Sequence, residues 1–183
     1  MRARVEICIL AGGLSARMGR PKARVRLGNL TLLGHVRKNV AGLELPVRII
    51  RKDLVPRCGP LGGISSALKT TGAEAVLIVP CDTPFLSAAL LRRFLVKFDG
   101  QHPLFGVVQE KTGFPILLPR SALPVVTEQI KAREFALHNL ARAIRARLVR
   151  VPAGQLFNVN TPADLAEARK RCRSAQEQLV KRQ

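Results

Sequence analysis

Residues 5–22, VEICILAGGLSARMGRPK, run from a short apolar segment into a loop that is rich in glycine and in cationic side chains. The apolar segment predicts a buried β-strand over 5–11, because it is short, partly β-branched and followed at once by glycine. Gly12 and Gly13 have no Cβ atom, so several backbone N–H groups can turn toward one point and a bulky anion can approach closely. Positive charge surrounds that point on Arg17, Arg20 and Lys22. The stretch therefore predicts a strand whose carboxyl end carries a loop for a phosphate-bearing ligand.

This loop differs from two familiar phosphate-binding motifs. A P-loop ends in Gly-Lys-Ser/Thr, whereas Gly19 is followed here by Arg20 and Pro21. The dinucleotide-binding fingerprint requires Gly-x-Gly-x-x-Gly, but Gly12 and Gly13 are adjacent. Taken alone, the loop is compatible with phosphate binding or with an ordinary turn from a strand to a helix.

Strand-like and helix-like segments alternate along the whole chain. The predicted strands lie near 5–11, 46–51, 74–80, 103–108, 114–118 and 147–152, and the predicted helices near 30–41, 61–71, 87–98, 133–145 and 162–180. The alternation predicts an α/β fold with one doubly wound, Rossmann-like, mainly parallel sheet and helices on both faces. The pair 103–108 and 114–118 breaks the alternation and is predicted to form an antiparallel excursion that closes one side of the site. The length suits one domain over 1–183, with a basic helical tail from about 172.

The composition is strongly basic, with 31 Lys and Arg against 12 Asp and Glu and a net charge of +19. Such a charge attracts polyanions, so a nucleic-acid-binding protein is one alternative. The chain has no Trp, no Tyr and only seven Phe, and single-strand binders commonly stack bases on aromatic rings. Solvated helix faces explain many of the charges, namely Arg142, Arg145, Arg169, Lys170, Arg171 and Arg173. The composition thus favours a small anionic ligand over nucleic acid.

The cysteines and the hydropathy point to the cytoplasm. The four cysteines, Cys8, Cys58, Cys81 and Cys172, show no paired metal-binding spacing, so reduced thiols are expected. No apolar run approaches the ~20 residues that a membrane-spanning helix needs. The amino terminus enters the first strand too soon for a secretion signal. A cytoplasmic protein without a membrane partner is therefore expected.

Ligands of open α/β sheets collect beyond the carboxyl ends of the strands, and three further predicted segments lie there. They are KDLVPRCGPLGGI at 52–64, VLIVPCDTPFL at 76–86 and FNVNTPADL at 157–165. In the last segment Thr161 is a natural N-cap, Pro162 takes the first helical position and Asp164 completes a capping box.

Asp82 stands out among the four aspartates, because it alone directly follows a strongly apolar strand. A carboxylate held at the edge of a sheet can bind a hard cation, and Mg²⁺ is commonly bound by one or two carboxylates together with phosphate oxygens. The alternative is a turn aspartate that caps its own loop, which the sequence Asp-Thr-Pro permits.

Four motifs together resemble the molybdenum cofactor guanylyltransferases, which are MobA-like nucleotidyltransferases. The resemblance rests on LAGGLSARMGRPK, DLVPRCGPLGGI, PCDTPFL and FNVNTPADL, which occur in the family's order over essentially the whole chain. The first motif alone is shared with cytidylyl and sugar nucleotidyltransferases. The resemblance implies a nucleotidyltransferase fold and the transfer of GMP from GTP to molybdopterin, with release of pyrophosphate and Mg²⁺ as cofactor. It also implies transient contacts with other proteins of molybdenum cofactor synthesis or with acceptor proteins.

The resemblance also implies a role for each matching residue. The nucleotide pocket would be lined by Leu10, Ala11, Gly12 and Gly13. Arg17 and Lys22 would neutralise the triphosphate, and Asp53 would lie near the guanine or the ribose. Asp82 would hold Mg²⁺, while Asn158 and Asn160 would face the pterin substrate or complete the metal site. By this assignment the catalytic residues are Arg17, Lys22 and Asp82.

The chain departs from the family pattern in one region. Between Val40 and Asp53 the sequence leaves room for one strand, so about one strand–loop unit is missing, and its turn normally contributes to guanine recognition. The histidine expected near Pro115 is also absent. The isolated His35, His102 and His138 receive no catalytic role. Two alternatives therefore stay open: a related enzyme that uses CTP or another phosphorylated acceptor, and a non-catalytic basic protein that binds nucleotide or RNA.

Overall fold

The computed structural model describes residues 3–12 and 22–180, and for Lys22 and 175–180 it describes the backbone only. The strands in these ranges are β1 Val5–Leu10, β2 Arg26–Leu27, β3 Leu30–Thr31, β4 Val47–Ile50, β5 Ala75–Pro80, β6 Leu104–Val108, β7 Lys111–Pro119 and β8 Arg147–Arg150. The α-helices in the same ranges are α1 Leu32–Ala41, α2 Pro60–Thr70, α3 Ala88–Lys97, α4 Leu123–Lys131, α5 Leu137–Ala143 and α6 Pro162–Val180. The alternation of strands and helices confirms the predicted α/β class.

Six strands form one sheet in the order β4-β1-β5-β7-β6-β8, and β2 and β3 form a separate hairpin. Strand β1 pairs in parallel with β4 and β5, and β6 pairs in parallel with β8. Strand β7 is antiparallel to its neighbours β5 and β6. The carboxyl ends of the other five strands therefore meet at one edge of the sheet.

Helices cover both faces of the sheet, as predicted. Helices α1 and α3 bury their apolar residues in one core cluster with β1 and β5, and α2, α4 and α5 belong to a second cluster on the opposite face. A third, smaller cluster joins the β2–β3 hairpin to α6 through Val25, Leu27, Val159, Leu165 and Ala168. This third cluster holds the segment before α6 against the body of the domain.

The predicted antiparallel pairing of 103–108 with 114–118 is confirmed by β6 and β7. Its predicted place at the side of the site is wrong, because β7 lies inside the sheet between β5 and β6. Residues Ile116, Leu117 and Leu118 are consecutive, apolar and completely buried. A continuous apolar run needs cover on both faces, and here Leu117 lies in one core cluster while Ile116 and Leu118 lie in the cluster on the opposite face. The hairpin thus completes the sheet instead of flanking it.

The helix predicted over 133–145 is also wrong in its extent. Helix α5 begins at Leu137, and α4, which the sequence pattern missed, ends at Lys131. Between them Arg133 takes a left-handed φ of 58°. Pro124 does not prevent α4 from forming, because it lies in the first helical turn, where its missing N–H group has no helical partner.

The predicted solvated basic residues are exposed with one exception. Arg171 is half-buried, and its guanidinium carbon lies 4.0 Å from the centroid of the Phe157 ring. All four cysteines are free, as expected from their spacing. Within the described ranges, no helix has the length and apolar character needed to cross a membrane.

Candidate active site

The carboxyl end of β1 lies between two neighbouring strand ends. The Ala11 N–H group donates to the Ile50 carbonyl oxygen at 2.7 Å, and the Cys81 N–H group donates to the Leu10 carbonyl oxygen at 3.0 Å. The Leu10 side chain packs directly on α2, since a Cβ atom on Gly63 would lie 2.9 Å from Leu10 Cδ1. The structure therefore brings the predicted residues Leu10 and Ala11, and the segments after β4 and β5, to one edge.

The Asp53 carboxylate lies between two glycines. A Cβ atom on Gly12 would be 3.5 Å from Asp53 Oδ1, and one on Gly62 would be 3.1 Å from Asp53 Oδ2. Burial raises the pKa of Asp53, because desolvation disfavours the charged carboxylate. No donor from the described residues hydrogen-bonds to this carboxylate. Asp53 is thus a half-buried hydrogen-bond acceptor at this edge of the sheet.

The loop that carries Asp53 is fixed to α2 by one hydroxyl group. Ser66 Oγ accepts from the Leu54 N–H group at 2.8 Å and donates to the Gly62 carbonyl oxygen at 2.7 Å. Helix α2 begins after Gly59, without a side-chain cap and without an acidic residue in its first turn. Its uncapped N–H groups favour negative charge at this edge.

We expect Gly62→Ala to weaken GTP binding roughly tenfold or more, because small displacements of binding groups are costly. Alanine ordinarily stabilises a helix interior relative to glycine by about 1 kcal/mol. Here the new Cβ atom would lie 2.6 Å from the Val55 carbonyl oxygen, so the Asp53 loop must move. Calorimetric titration with GTP measures the effect. Gly72→Ala is the control, since its Cβ atom would meet no atom within 4 Å; equal affinities of the two variants would contradict the assignment.

Asp82 and the segment of Asn158 and Asn160 are adjacent in the structure. The Val159 N–H group donates to the Asp82 carbonyl oxygen at 2.9 Å. Asp82 and Asn160 are half-buried, whereas Asn158 is exposed. The predicted capping box is confirmed, since Asp164 Oδ2 accepts from the Thr161 N–H group at 2.8 Å and Thr161 Oγ1 accepts from the Asp164 N–H group at 3.1 Å. Two predicted site segments, distant in sequence, thus meet beyond β5.

The residues that hold these two segments together were not predicted from the sequence. Gln155 Oε1 accepts from Ser87 Oγ at 2.8 Å and from the Ser87 N–H group at 3.1 Å. The rings of Phe85 and Phe157 lie 6.2 Å apart, a common spacing for aromatic pairs. Together with the hydrogen bond between Val159 and Asp82, these contacts join residues 82–87 to 155–159. No local pattern indicates such pairing, because the partners are about 70 residues apart.

The remaining predicted residues lie at the limit of the described chain. Gly13 and Arg17 fall outside the described residues. Lys22 is described only through its backbone, which begins a short 3₁₀ turn at Lys22–Arg24. The chain re-enters the core directly afterwards, because Ala23 and Val25 are buried. Lys22 therefore directly precedes a segment of the chain that is buried in the domain.

A metal ion at this edge would have few protein ligands. Residues 3–12 and 22–180 contain no group of three or more His, Cys, Asp or Glu side chains that could hold a metal ion. A single carboxylate such as Asp82 suits Mg²⁺, which commonly keeps several waters and takes further ligands from substrate phosphates. The donor set therefore fits an ion that is bound together with a phosphate-bearing ligand.

Comparisons with known proteins agree with this arrangement. The family model described as the MobA-like NTP transferase domain matches residues 7–53 and 37–151. A protein of Rhizobium meliloti (strain 1021), named molybdenum cofactor guanylyltransferase, is 33% identical over 87% of this chain and 88% of its own length. A second protein of that name, from Rhizobium leguminosarum bv. trifolii (strain WSM2304), is 32% identical over 91% of this chain and 92% of its own.

A solved structure supports the same fold. The molybdopterin-guanine dinucleotide biosynthesis protein A of Archaeoglobus fulgidus has a TM-score of 0.69 and 21% identity, covering 92% of this chain and 99% of that one. Its low identity makes it evidence for the fold alone, whereas the family model and the Rhizobium relatives match the sequence over most of its length. The predicted family is therefore confirmed, and this chain belongs to the MobA-like NTP transferases, a family of nucleotidyltransferases.

Proposed function

We propose that this protein transfers GMP from GTP to molybdopterin, releases pyrophosphate and uses Mg²⁺, as a single-domain cytoplasmic enzyme. The main support is the arrangement of the strand ends: β4, β1 and β5 are neighbours whose carboxyl ends lead to Asp53, Gly12 and Asp82, and the Val159 N–H group donates to the Asp82 carbonyl oxygen. The sequence relatives carry the name of this activity. The free cysteines agree with a reducing compartment.

In this proposal the site residues form two groups, one that binds the nucleotide and one that binds the acceptor. Leu10, Ala11, Gly12 and Gly13 line the nucleotide pocket, with Asp53 near the guanine or ribose. Arg17 and Lys22 neutralise the triphosphate. Asn158 and Asn160 face the acceptor, and Asp82 lies between the two halves of the site. Contacts with other proteins of cofactor synthesis or with acceptor proteins would be transient.

The reaction requires alignment and charge neutralisation rather than a protein nucleophile. The attacking oxygen is already a phosphate anion, so the molybdopterin phosphate attacks the α-phosphorus and pyrophosphate leaves. Bringing two polyanions together and stabilising the leaving group are the tasks of the site. Mg²⁺, held by Asp82, would supply the positive charge that the leaving pyrophosphate requires. The general positive charge attracts both substrates, but it does not by itself favour the transition state over the bound substrates.

The function is tested by pyrophosphate release from purified protein with molybdopterin, Mg²⁺ and one nucleoside triphosphate at a time. Release with GTP that depends on both Mg²⁺ and molybdopterin is expected. Faster turnover with CTP would instead identify a related cytidylyltransferase. Salt-sensitive RNA binding without any pyrophosphate release would identify a non-catalytic binding protein.

The preference for GTP over other nucleotides is expected to be weaker than in a full-length relative, meaning one that contains the strand–loop unit missing here. Among the residues that the structure describes, β4 alone lies beyond β1 in the sheet, in keeping with the missing strand–loop unit. The two family-model matches overlap at residues 37–53, as expected if one segment resembles two successive parts of the model. Sites discriminate between bases mainly through hydrogen bonds that the wrong base leaves unmade, and fewer polar groups remain here.

Specificity constants for GTP, ATP and CTP, measured beside those of a full-length relative, test this expectation. We expect a smaller preference for GTP than the relative shows. A preference as strong as the relative's would mean that Asp53 and the backbone near Leu10 suffice to read the base.

A further inference from the structure

A cleft of about 620 Å³ lies beyond the carboxyl ends of β6 and β8 and has no role in the site described above. Its lining residues are Val107, Gln109, Glu110, Leu148, Arg150 and Val151. Three of them are aliphatic, and the other three supply a carboxamide, a carboxylate and a guanidinium group. An apolar surface with a few polar groups is typical of small-molecule sites. The cleft opens at the edge of the sheet that carries Asp82.

The turn that forms one wall of the cleft has an unusual backbone for its residues. Gln109 and Glu110 join β6 to β7 with φ values of 44° and 67°. Two-residue hairpin turns with both φ values positive favour asparagine and glycine, because other side chains are strained there. Backbone strain of this kind is typical of functional positions, so the long polar side chains of Gln109 and Glu110 are candidates for ligand contacts.

The opposite wall presents an apolar side chain that the protein leaves uncovered. Leu148 is 55% exposed, although it lies in the sheet and pairs with the completely buried Phe105. Arg150 is exposed beside Val107, its partner in the same ladder. A flat ligand on Val107 and Leu148 would cover this surface, with Glu110 and Arg150 at its edges.

The distance to Asp82 limits what such a ligand can be. Strand β6 lies two positions from β5 in the sheet, and adjacent strands are about 4.8 Å apart, so the cleft begins roughly 10 Å from the strand that carries Asp82. One ligand could therefore place a phosphate group near Asp82 and a ring system in the cleft. Molybdopterin, the acceptor in the proposed function, has a phosphate at one end and a pterin ring at the other.

We infer that this cleft binds the pterin ring of the acceptor and that Glu110 recognises the ring's 2-amino group. The assignment rests on the proposed function. The pyrimidine edge of a pterin presents two neighbouring N–H donors, and a carboxylate has two acceptor oxygens and no donor. Arg150 offers donors to the ring's oxygen and nitrogen acceptors. Val107 and Leu148 provide the apolar surface under the ring.

The test compares pterin with lumazine, which has the same bicyclic ring but an oxygen in place of the 2-amino group. Binding of each compound to the full-length protein is followed by its intrinsic fluorescence at constant ionic strength. We expect wild type to bind pterin about tenfold or more tightly, because lumazine turns an acceptor toward the carboxylate. Glu110→Gln should bring the two affinities within about twofold, since the amide offers only one acceptor.

The control is Glu128→Gln, which makes the same change in charge at an exposed glutamate on α4. Glu128 forms an ion pair with Lys131 at 2.8 Å and is not part of the cleft. The Glu128→Gln variant should discriminate between pterin and lumazine as strongly as wild type does. Equal affinity of wild type for the two compounds, or full discrimination by Glu110→Gln, would overturn the assignment. Circular dichroism confirms that both variants are folded.

Steady-state kinetics separate this inference from the proposed function. Glu110→Gln and Leu148→Ser should raise the KM for molybdopterin several-fold and leave the KM for GTP unchanged. Normal turnover with an unchanged KM for molybdopterin would overturn the cleft assignment alone. If wild type released no pyrophosphate, the proposed function would fail, and the pterin–lumazine comparison would still decide whether the cleft binds a pterin.

Discussion

Asp82→Asn is expected to lower Mg²⁺-dependent turnover by about 10²-fold or more, because it removes the carboxylate proposed to hold the charge-neutralising ion. The fold should persist. Asparagine is nearly isosteric, and the Asp82 carbonyl oxygen, which accepts from the Val159 N–H group, belongs to the backbone. Pyrophosphate release at saturating GTP and molybdopterin measures the rate, and circular dichroism verifies the fold.

Asp99→Asn is the matched control for the loss of one aspartate. Asp99 lies at the opposite edge of the sheet, where its Oδ2 atom is 2.8 Å from Arg147 Nη1. Hydrogen bonds from the backbone N–H groups of His102 and Gln101 hold the pKa of Asp99 well below its usual range. Its replacement should affect this loop and leave turnover near the wild-type rate. Near-normal turnover of Asp82→Asn would remove Asp82 from the mechanism.

Lys22→Ala is expected to weaken GTP binding by roughly 10- to 100-fold, since a hydrogen bond to a charged group contributes about 1.5–3 kcal/mol. Guanosine, which has no phosphate, should lose little affinity. The Lys22 backbone is held in a defined place, because Lys22 begins a short turn whose neighbours Ala23 and Val25 are buried. Calorimetric titrations with GTP and guanosine measure both affinities. A loss confined to GTP indicates a phosphate contact, whereas a loss for both ligands indicates damage to the whole nucleotide site.

Arg24→Ala controls for the positive field of the protein. Arg24 is exposed and lies in the same short turn, so its removal changes the net charge equally. We expect only a small loss of GTP affinity for this variant. An equal loss of GTP and guanosine affinity in Lys22→Ala would show that Lys22 does not contact the phosphates.

Local features of the chain were predictable from the sequence because they depend on neighbours within a few residues. The capping box of Thr161 and Asp164 joins residues three apart, and Pro162 begins α6 as its position in the motif indicates. The apolar pattern of α1 places Leu32, Leu33, Val36 and Val40 in the core, as the helical period predicts. The strands that end at Leu10 and Pro80 were likewise predicted, because each is a short apolar run followed by turn residues.

Strand order was not predictable in the same way. The run Ile116–Leu118 indicates a buried strand, but a continuous apolar run has no periodicity that specifies which strands lie beside it. Its place between β5 and β6 is set by backbone ladders to strands that are distant in sequence or joined by a hairpin, while the two core clusters cover its faces. Helix α4 was missed, although its proline lies in the first turn, where a helix tolerates it.

The alternation of elements and the family could be predicted from the sequence alone, since motifs and short-range hydrogen bonds are properties of local sequence; the roles of the site residues stay a prediction. Tertiary packing places Asp53 between Gly12 and Gly62, and through Gln155 and Phe157 it holds the Asn158–Asn160 segment beside Asp82. The parallel pairing of β6 with β8 likewise forms the cleft at the same edge. These contacts join residues far apart in sequence, and their geometry depends on how both faces of the sheet are packed, which no local pattern specifies.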